Sequence, residues 1–121
     1  MSRKRNAKRG RLIVPTSDYA DAEGNVLTLR GLLKPGARQD YRRTLEGVDA
    51  RPGESREDAW QRAVELLFER LAVRWTIAGA PIERQKELLA RFRVASQPER
   101  AFVREALRAH CAEYFPDVQA P

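Results

Sequence analysis

The chain has 121 residues, a length typical of one domain, and 42% of them are hydrophobic, which argues against a fully disordered chain. A single cysteine excludes a disulfide-stabilised secreted scaffold. The longest stretch without a charged residue, residues 75–82, is too short for a membrane-spanning helix of about 20 residues. No apolar segment typical of a signal peptide follows the basic N-terminus. These features predict a small cytoplasmic protein.

The net charge of +6 is concentrated in residues 1–11. This segment contains no acidic residue and six basic ones: Arg3, Lys4, Arg5, Lys8, Arg9 and Arg11. The remaining residues balance 17 basic groups against 17 acidic groups. We predict a basic N-terminal arm, disordered when alone, that either binds nucleic-acid phosphates without sequence preference or serves only as a solubilising tail.

Arginine outnumbers lysine 19 to 4, and alanine occurs 17 times. Both arginine and alanine have GC-rich codons, so this composition is typical of a bacterium with a high-GC genome. The abundance of arginine is therefore weak evidence for phosphate binding.

Residues 12–121 are predicted to form a single, mostly helical domain. A β-hairpin is expected over about residues 18–31, because turn-forming residues around Gly24 precede an alternating strand-like run. A first helix is expected over residues 36–46, where Ala37, Tyr41 and Leu45 recur at helical spacing before Gly47 ends it.

The longest helix is predicted over residues 56–78. Ser55 and Asp58 form a capping-box pattern at its start, and Gly79 and Pro81 mark its end. Apolar residues recur within it at helical spacing: Trp60, Val64, Leu67, Leu71 and Trp75. Two further helices are expected over residues 82–94 and 97–115. The predicted fold class is therefore mainly α, with about four helices preceded by a small β-hairpin and the basic arm.

Catalytic and metal-binding chemistry find little support in the sequence. His110 and Cys111 are the only histidine and the only cysteine, but neighbouring residues on a helix point about 100° apart and cannot form a nucleophile–base pair. Both are interpreted as half-buried packing residues. We expect no enzyme, no cofactor and no metal site, and keep a small enzyme only as a third possibility.

A line of arginines, Arg100, Arg104 and Arg108, recurs every four residues along the last predicted helix. With the preceding helix and a short turn, this line could contact DNA as a helix-turn-helix does. The alternative is a solvated helix face, since Glu99 and Glu105 lie alongside.

Two segments carry a resemblance to a known family. Residues 24–30 (GNVLTLR), followed by Leu32 and a short helix around Tyr41, resemble the start of tail assembly chaperones of long-tailed phages. Residues 71–75 (LAVRW) and 79–82 (GAPI) look like the Trp-then-turn feature of the same proteins. The resemblance covers residues 18–95 and implies a non-enzymatic phage or prophage protein that holds the long helices of the tape-measure protein during tail assembly.

The leading functional prediction is thus a non-catalytic protein-binding or assembly protein that holds a partner helix, or a second copy, on an amphipathic helical face. Trp60, Phe68 and Trp75 are the predicted partner-binding residues. The alternative is a small nucleic-acid-associated protein that uses the basic arm, together with the arginine line.

Overall fold

The computed structural model describes residues 14–48 and 50–121. Within these residues, four strands and four helices follow one another in the order β1, β2, α1, α2, β3, β4, α3, α4. The strands are β1 (Thr16–Ala20), β2 (Val26–Arg30), β3 (Ala72–Ile77) and β4 (Ala80–Ile82). The helices are α1 (Pro35–Glu46), α2 (Arg56–Leu71), α3 (Gln85–Arg93) and α4 (Gln97–Tyr114).

The strands form one antiparallel sheet in the order β1-β2-β3-β4. The predicted hairpin over residues 18–31 corresponds to β1 and β2, which pair from Thr16 with Arg30 to Ala20 with Val26. Strand β2 also pairs with β3, so that Leu27 lies opposite Trp75. The predicted small hairpin is therefore one half of a four-stranded sheet.

The prediction of a mainly α fold is wrong, since the described residues form a mixed α/β protein. The error lies in residues 56–78, where the helix ends at Leu71 and β3 begins at the next residue. Val73, Thr76 and Ile77 are β-branched and favour a strand. Trp75 continues the helical spacing of Leu71, but it belongs to β3. Its side chain is buried because β3 pairs with β2, which lies more than 40 residues earlier in the chain.

Gly79 and Pro81, which were expected to mark the end of a helix, instead belong to the turn after β3 and to strand β4. Ala78 and Gly79 both have positive φ, 52° and 80°, and they connect the paired residues Ile77 and Ala80. Two central residues with positive φ define the two-residue turn that suits a β-hairpin. Pro81 then lies on the outer strand of the sheet, where a missing N–H is tolerated.

The other three helices lie close to their predicted positions. Residues 36–46 correspond to α1, residues 82–94 to α3 with a shorter N-terminal end, and residues 97–115 to α4. Ser55 and Ser96 each form a complete capping box, with Asp58 and Glu99 respectively. These side chains satisfy backbone N–H groups that a helix start would otherwise leave without partners.

The core lies between the helices and one face of the sheet. Its largest fully buried side chains are Trp75 and Phe68, which meet edge to face at 5.8 Å, and Phe92, which stacks on Phe68 at 4.8 Å. Strand β2 contributes Leu27 and Leu29 to this core. Among the described residues, no helix is long and apolar enough to cross a membrane.

Candidate functional site

The described chain has an open groove of about 710 Å³ between β1 and α4. We call it the edge groove. One side is formed by residues 18–23, which comprise the end of β1 and the following turn. The other side is formed by α4, where Phe102 and Ala106 supply apolar surface and Glu99 and Glu105 supply carboxylates.

The groove follows the outer edge of the sheet. Consecutive side chains of a strand point to opposite faces, so a concavity lined by both Asp18 and Tyr19 must pass around the edge of β1. Within the described residues, β1 pairs only with β2, so its other edge carries no strand.

The register identifies which backbone groups this edge presents. Gly31 donates its N–H to the carbonyl of Pro15, and Asp21 donates its N–H to the carbonyl of Asn25. Hydrogen-bonded pairs alternate along an antiparallel ladder, so the intervening odd-numbered residues of β1 bond to β2. The backbone N–H and C=O groups of Thr16, Asp18 and Ala20 consequently face away from the sheet.

A buried hydrogen-bond network joins β1 to α4 beneath the groove. The Nε2 atom of His110 lies 2.8 Å from the carbonyl oxygen of Arg30, and its Nδ1 atom lies 2.9 Å from the hydroxyl of Tyr19. Because a carbonyl can only accept, Nε2 carries the proton and the Tyr19 hydroxyl donates to Nδ1. The hydroxyls of Ser17 and Tyr114 add a second link, at 2.9 Å.

Burial lowers the pKa of His110 and raises the pKa of Tyr19. Both shifts favour the neutral forms that this network requires. The network thus sets the distance between β1 and α4 and holds the groove open.

The residues lining the edge groove are acidic. Among the described residues that line it, none is a lysine or an arginine and five are carboxylates: Asp18, Asp21, Glu23, Glu99 and Glu105. Glu99 is neutralised by Arg91 through two hydrogen bonds of 3.1 and 2.6 Å, which hold its pKa at about 2. Asp18 accepts a hydrogen bond from the hydroxyl of Thr28, and no described basic side chain pairs with it or with Glu105.

Asp21 shapes the end of the groove. Its carboxylate accepts hydrogen bonds from the backbone of Glu23 and from the backbone and side chain of Asn25. Burial acts to raise the pKa of Asp21, but these hydrogen bonds outweigh it and lower the pKa. Asn25 in turn accepts from the backbone N–H of Ala78, so the two hairpin turns are tied together.

These carboxylates do not converge on one point. In residues 14–48 and 50–121, no three histidine, cysteine or acidic side chains are grouped so that they could hold a metal ion. The arrangement instead suits an extended ligand, which can contact apolar side chains along the groove and carboxylates at its rim.

Two of the predicted partner-binding residues lie inside the core. Phe68 and Trp75 are 0% and 1% exposed, so neither can contact a partner in this fold. Trp60 is 40% exposed and lies at a shallow depression of about 370 Å³ beside Leu45 and Ala59. The predicted stripe joining Trp60 to Trp75 does not exist, because the two residues belong to a helix and a strand.

The arginine line is largely occupied by intramolecular bonds. Arg100 donates to the carbonyls of Arg93 and Ala95 and thereby closes the turn between α3 and α4. Arg108 donates to the carbonyl of Pro121. Arg104 lies beside a separate small depression on α4. The six basic residues of the arm lie outside the described residues.

His110 and Cys111, predicted to be half-buried, are fully buried at 0% and 1% exposure. Both nitrogens of His110 are engaged in the network described above. Burial raises the pKa of Cys111 to about 11, which keeps the thiol protonated and unreactive at neutral pH.

Sequence reasoning missed the edge groove entirely. The sequence TSDYA of β1 offers little signal, since its alternation of exposed and partly buried residues is visible only in the folded chain. The groove also needs α4, which lies some 80 residues further along the chain, and no local pattern indicates that α4 packs beside β1. No family model, curated protein or solved structure matches the chain.

Proposed function

We propose that this protein is a non-catalytic protein-binding or assembly protein that receives a segment of its partner in the edge groove. The observation that carries the proposal is the combination, on one concavity, of a strand edge that pairs with no described strand and an apolar helix face. Peptide-binding domains commonly use this combination, because backbone hydrogen bonds give affinity and side-chain contacts give specificity.

The resemblance to tail assembly chaperones suggests what the partner is. The two resembling segments correspond to β2 with α1 and to β3 with β4, which are elements of one continuous sheet and core. We therefore propose a phage or prophage assembly role, with a tape-measure protein as the partner. In this role the partner binds in the edge groove and not on the predicted helical face, since Phe68 and Trp75 are buried.

The test is co-expression of the full chain with the tape-measure protein encoded in the same genome, followed by size-exclusion chromatography. We expect the two proteins to elute together and Phe102→Lys to abolish the complex, because a charge is placed on the apolar wall of the groove. Leu32→Lys is the matched control, because Leu32 is apolar and exposed but lies away from the groove. Separate elution of the wild-type proteins would contradict the proposal.

The alternative function, phosphate binding through the basic arm, rests on the observation that residues 1–11 carry the entire net charge of +6. Replacing the six basic residues of the arm by serine should then abolish retention of the full chain on a duplex-DNA column at low salt. Unchanged retention would show that residues outside the arm bind the DNA, and Arg104 would then be the next residue to test.

A further inference from the structure

The chemistry of the edge groove indicates what kind of segment it binds, given the protein-binding role proposed above. We propose that its occupant is an extended, basic segment of a partner protein that adds to β1 as a fifth strand. Three features of the groove support this occupant: the outward backbone groups of β1, the acidic charge of the rim, and the repulsion that two copies of β1 would meet on pairing.

The backbone edge requires an extended ligand. Thr16, Asp18 and Ala20 direct their N–H and C=O groups outward, as deduced from the flanking hydrogen-bonded pairs. A strand placed beside β1 satisfies these groups in a regular ladder. A helix has its own backbone groups paired internally and offers no such partners.

The rim charge selects a basic ligand. Asp18 and Glu105 lie on opposite sides of the groove, and neither is paired with a described cation. Lysine or arginine side chains on an added strand would alternate above and below the sheet edge and so reach both sides. Phe102 and Ala109 line the same groove on α4 and can receive the apolar side chains of the same segment.

A second copy of this chain is a poor occupant. Two β1 strands paired edge to edge would bring the Asp18 carboxylates of both copies close together, and like charges across a ladder destabilise it. Acidic side chains on an outer strand therefore act against self-pairing while admitting a strand of opposite charge.

The experiment measures, by anisotropy, the binding of the full chain to a fluorescently labelled peptide in which pairs of lysines alternate with pairs of valines, so that an extended strand carries lysine on both faces. A glutamate–valine peptide of equal length is the comparison. We expect the lysine peptide to bind at least about tenfold more tightly, with an affinity that falls as salt is added. Equal binding of the two peptides would overturn the proposed charge selection.

The strand geometry is tested at Ala20, which is exposed and directs its N–H outward. Ala20→Pro removes this donor and should weaken binding of the lysine peptide by at least about twofold to tenfold. Ala20→Val keeps the N–H and is the matched control, and it should weaken binding less than Ala20→Pro does. Equal affinity of both variants would overturn strand addition, provided that their circular dichroism shows the same fold.

The charge contribution is tested on α4, where Glu105 lines the groove and Glu113 lies on the same helix outside it. Glu105→Gln should weaken binding by about 1.5- to fivefold, whereas Glu113→Gln should leave it unchanged. Equal effects would show a general electrostatic attraction and overturn the assignment to the groove.

The basic arm of the chain itself is the competing occupant. Full-length protein with the six basic arm residues replaced by serine should bind the lysine peptide with unchanged affinity. An increase of about tenfold or more would identify the arm as the occupant and overturn the assignment to a separate partner.

Failure of this inference can be told apart from failure of the proposed function. If the tape-measure protein co-elutes through Phe102 but the lysine peptide does not bind, only the extended basic ligand is wrong. If the peptide binds as expected and the tape-measure protein does not, the peptide site stands and the assembly role is lost.

Discussion

Helix α2 and strand β3 follow each other without a linker, and both deliver large apolar side chains to the same core, yet they are stabilised in different ways. The backbone of α2 is hydrogen-bonded within the helix, and its start is closed by the capping box of Ser55. The backbone of β3 is paired with β2 and β4. The helix is thus supported mainly by nearby sequence, whereas the strand depends on β4 after a two-residue turn and also on β2, more than 40 positions away.

The comparison teaches that large side chains at helical spacing do not by themselves identify a helix. Leu67, Leu71 and Trp75 recur every four residues, but the chain changes from helix to strand between the second and the third. The four predictions that follow test this difference, in order of expected effect.

The largest effect is expected for Trp75→Ala. Trp75 is 1% exposed and contacts Phe68, and removal of a buried tryptophan side chain costs about 3–5 kcal/mol of unfolding free energy. Urea denaturation of the full chain measures the loss. The matched control is Trp60→Ala, because Trp60 is 40% exposed and its removal should cost well under half as much. Equal losses would show that β3 does not bury its tryptophan in the core.

A similar but slightly smaller loss is expected for Leu67→Ala on α2, because Leu67 is 1% exposed in the same core. The expected cost is about 2–5 kcal/mol of unfolding free energy, measured by the same denaturation. Far-ultraviolet circular dichroism of the variant should keep the helical signal, since the local hydrogen bonds of α2 remain. A midpoint that does not move would show that Leu67 is not packed as described.

A moderate effect is expected for Gly79→Ala in the turn between β3 and β4. Gly79 has φ of 80°, a conformation that costs an L-residue about 1–2 kcal/mol, although no atom obstructs the added methyl group. Gly36→Ala is the control, since Gly36 lies in α1 with open space around it and alanine there favours the helix. Thermal denaturation should lower the melting temperature of the first variant and leave or raise that of the second.

The smallest effect is expected from pH, through the link between β1 and α4. Burial lowers the pKa of His110 below its unfolded value of about 6.5, so the unfolded chain binds a proton more readily than the folded chain. Stability should therefore decrease as the pH falls below about 6.5 and stop decreasing below the folded pKa of this histidine. The melting temperature measured from pH 8 to pH 5 reports this change.

His110→Gln is the control for that experiment, because it removes the only histidine while keeping a side-chain donor for the carbonyl of Arg30. Its melting temperature should vary less over the same pH range. An identical pH profile in the variant would contradict the assignment to His110. The low pKa of Glu99 does not account for the effect, since its contribution to stability is lost only as the pH falls from the ordinary pKa of 4.5 towards the folded value of about 2.

The sequence by itself determined the locally encoded features. The start of α2 was predicted from the capping-box pattern at Ser55, and the turn before β2 from the residues around Gly24. Each of these depends on contacts between residues a few positions apart, which a local pattern contains.

Only the tertiary structure decided the features that depend on distant partners. It buried Phe68 and Trp75, turned residues 72–77 into a strand and brought β1 beside α4 to form the edge groove. The physical reason is that a strand receives its hydrogen bonds, and an aromatic side chain its burial, from whichever segment packs against it. Which segment packs there depends on the fold of the whole chain, so the groove could not be predicted from the sequence of β1 or of α4 alone.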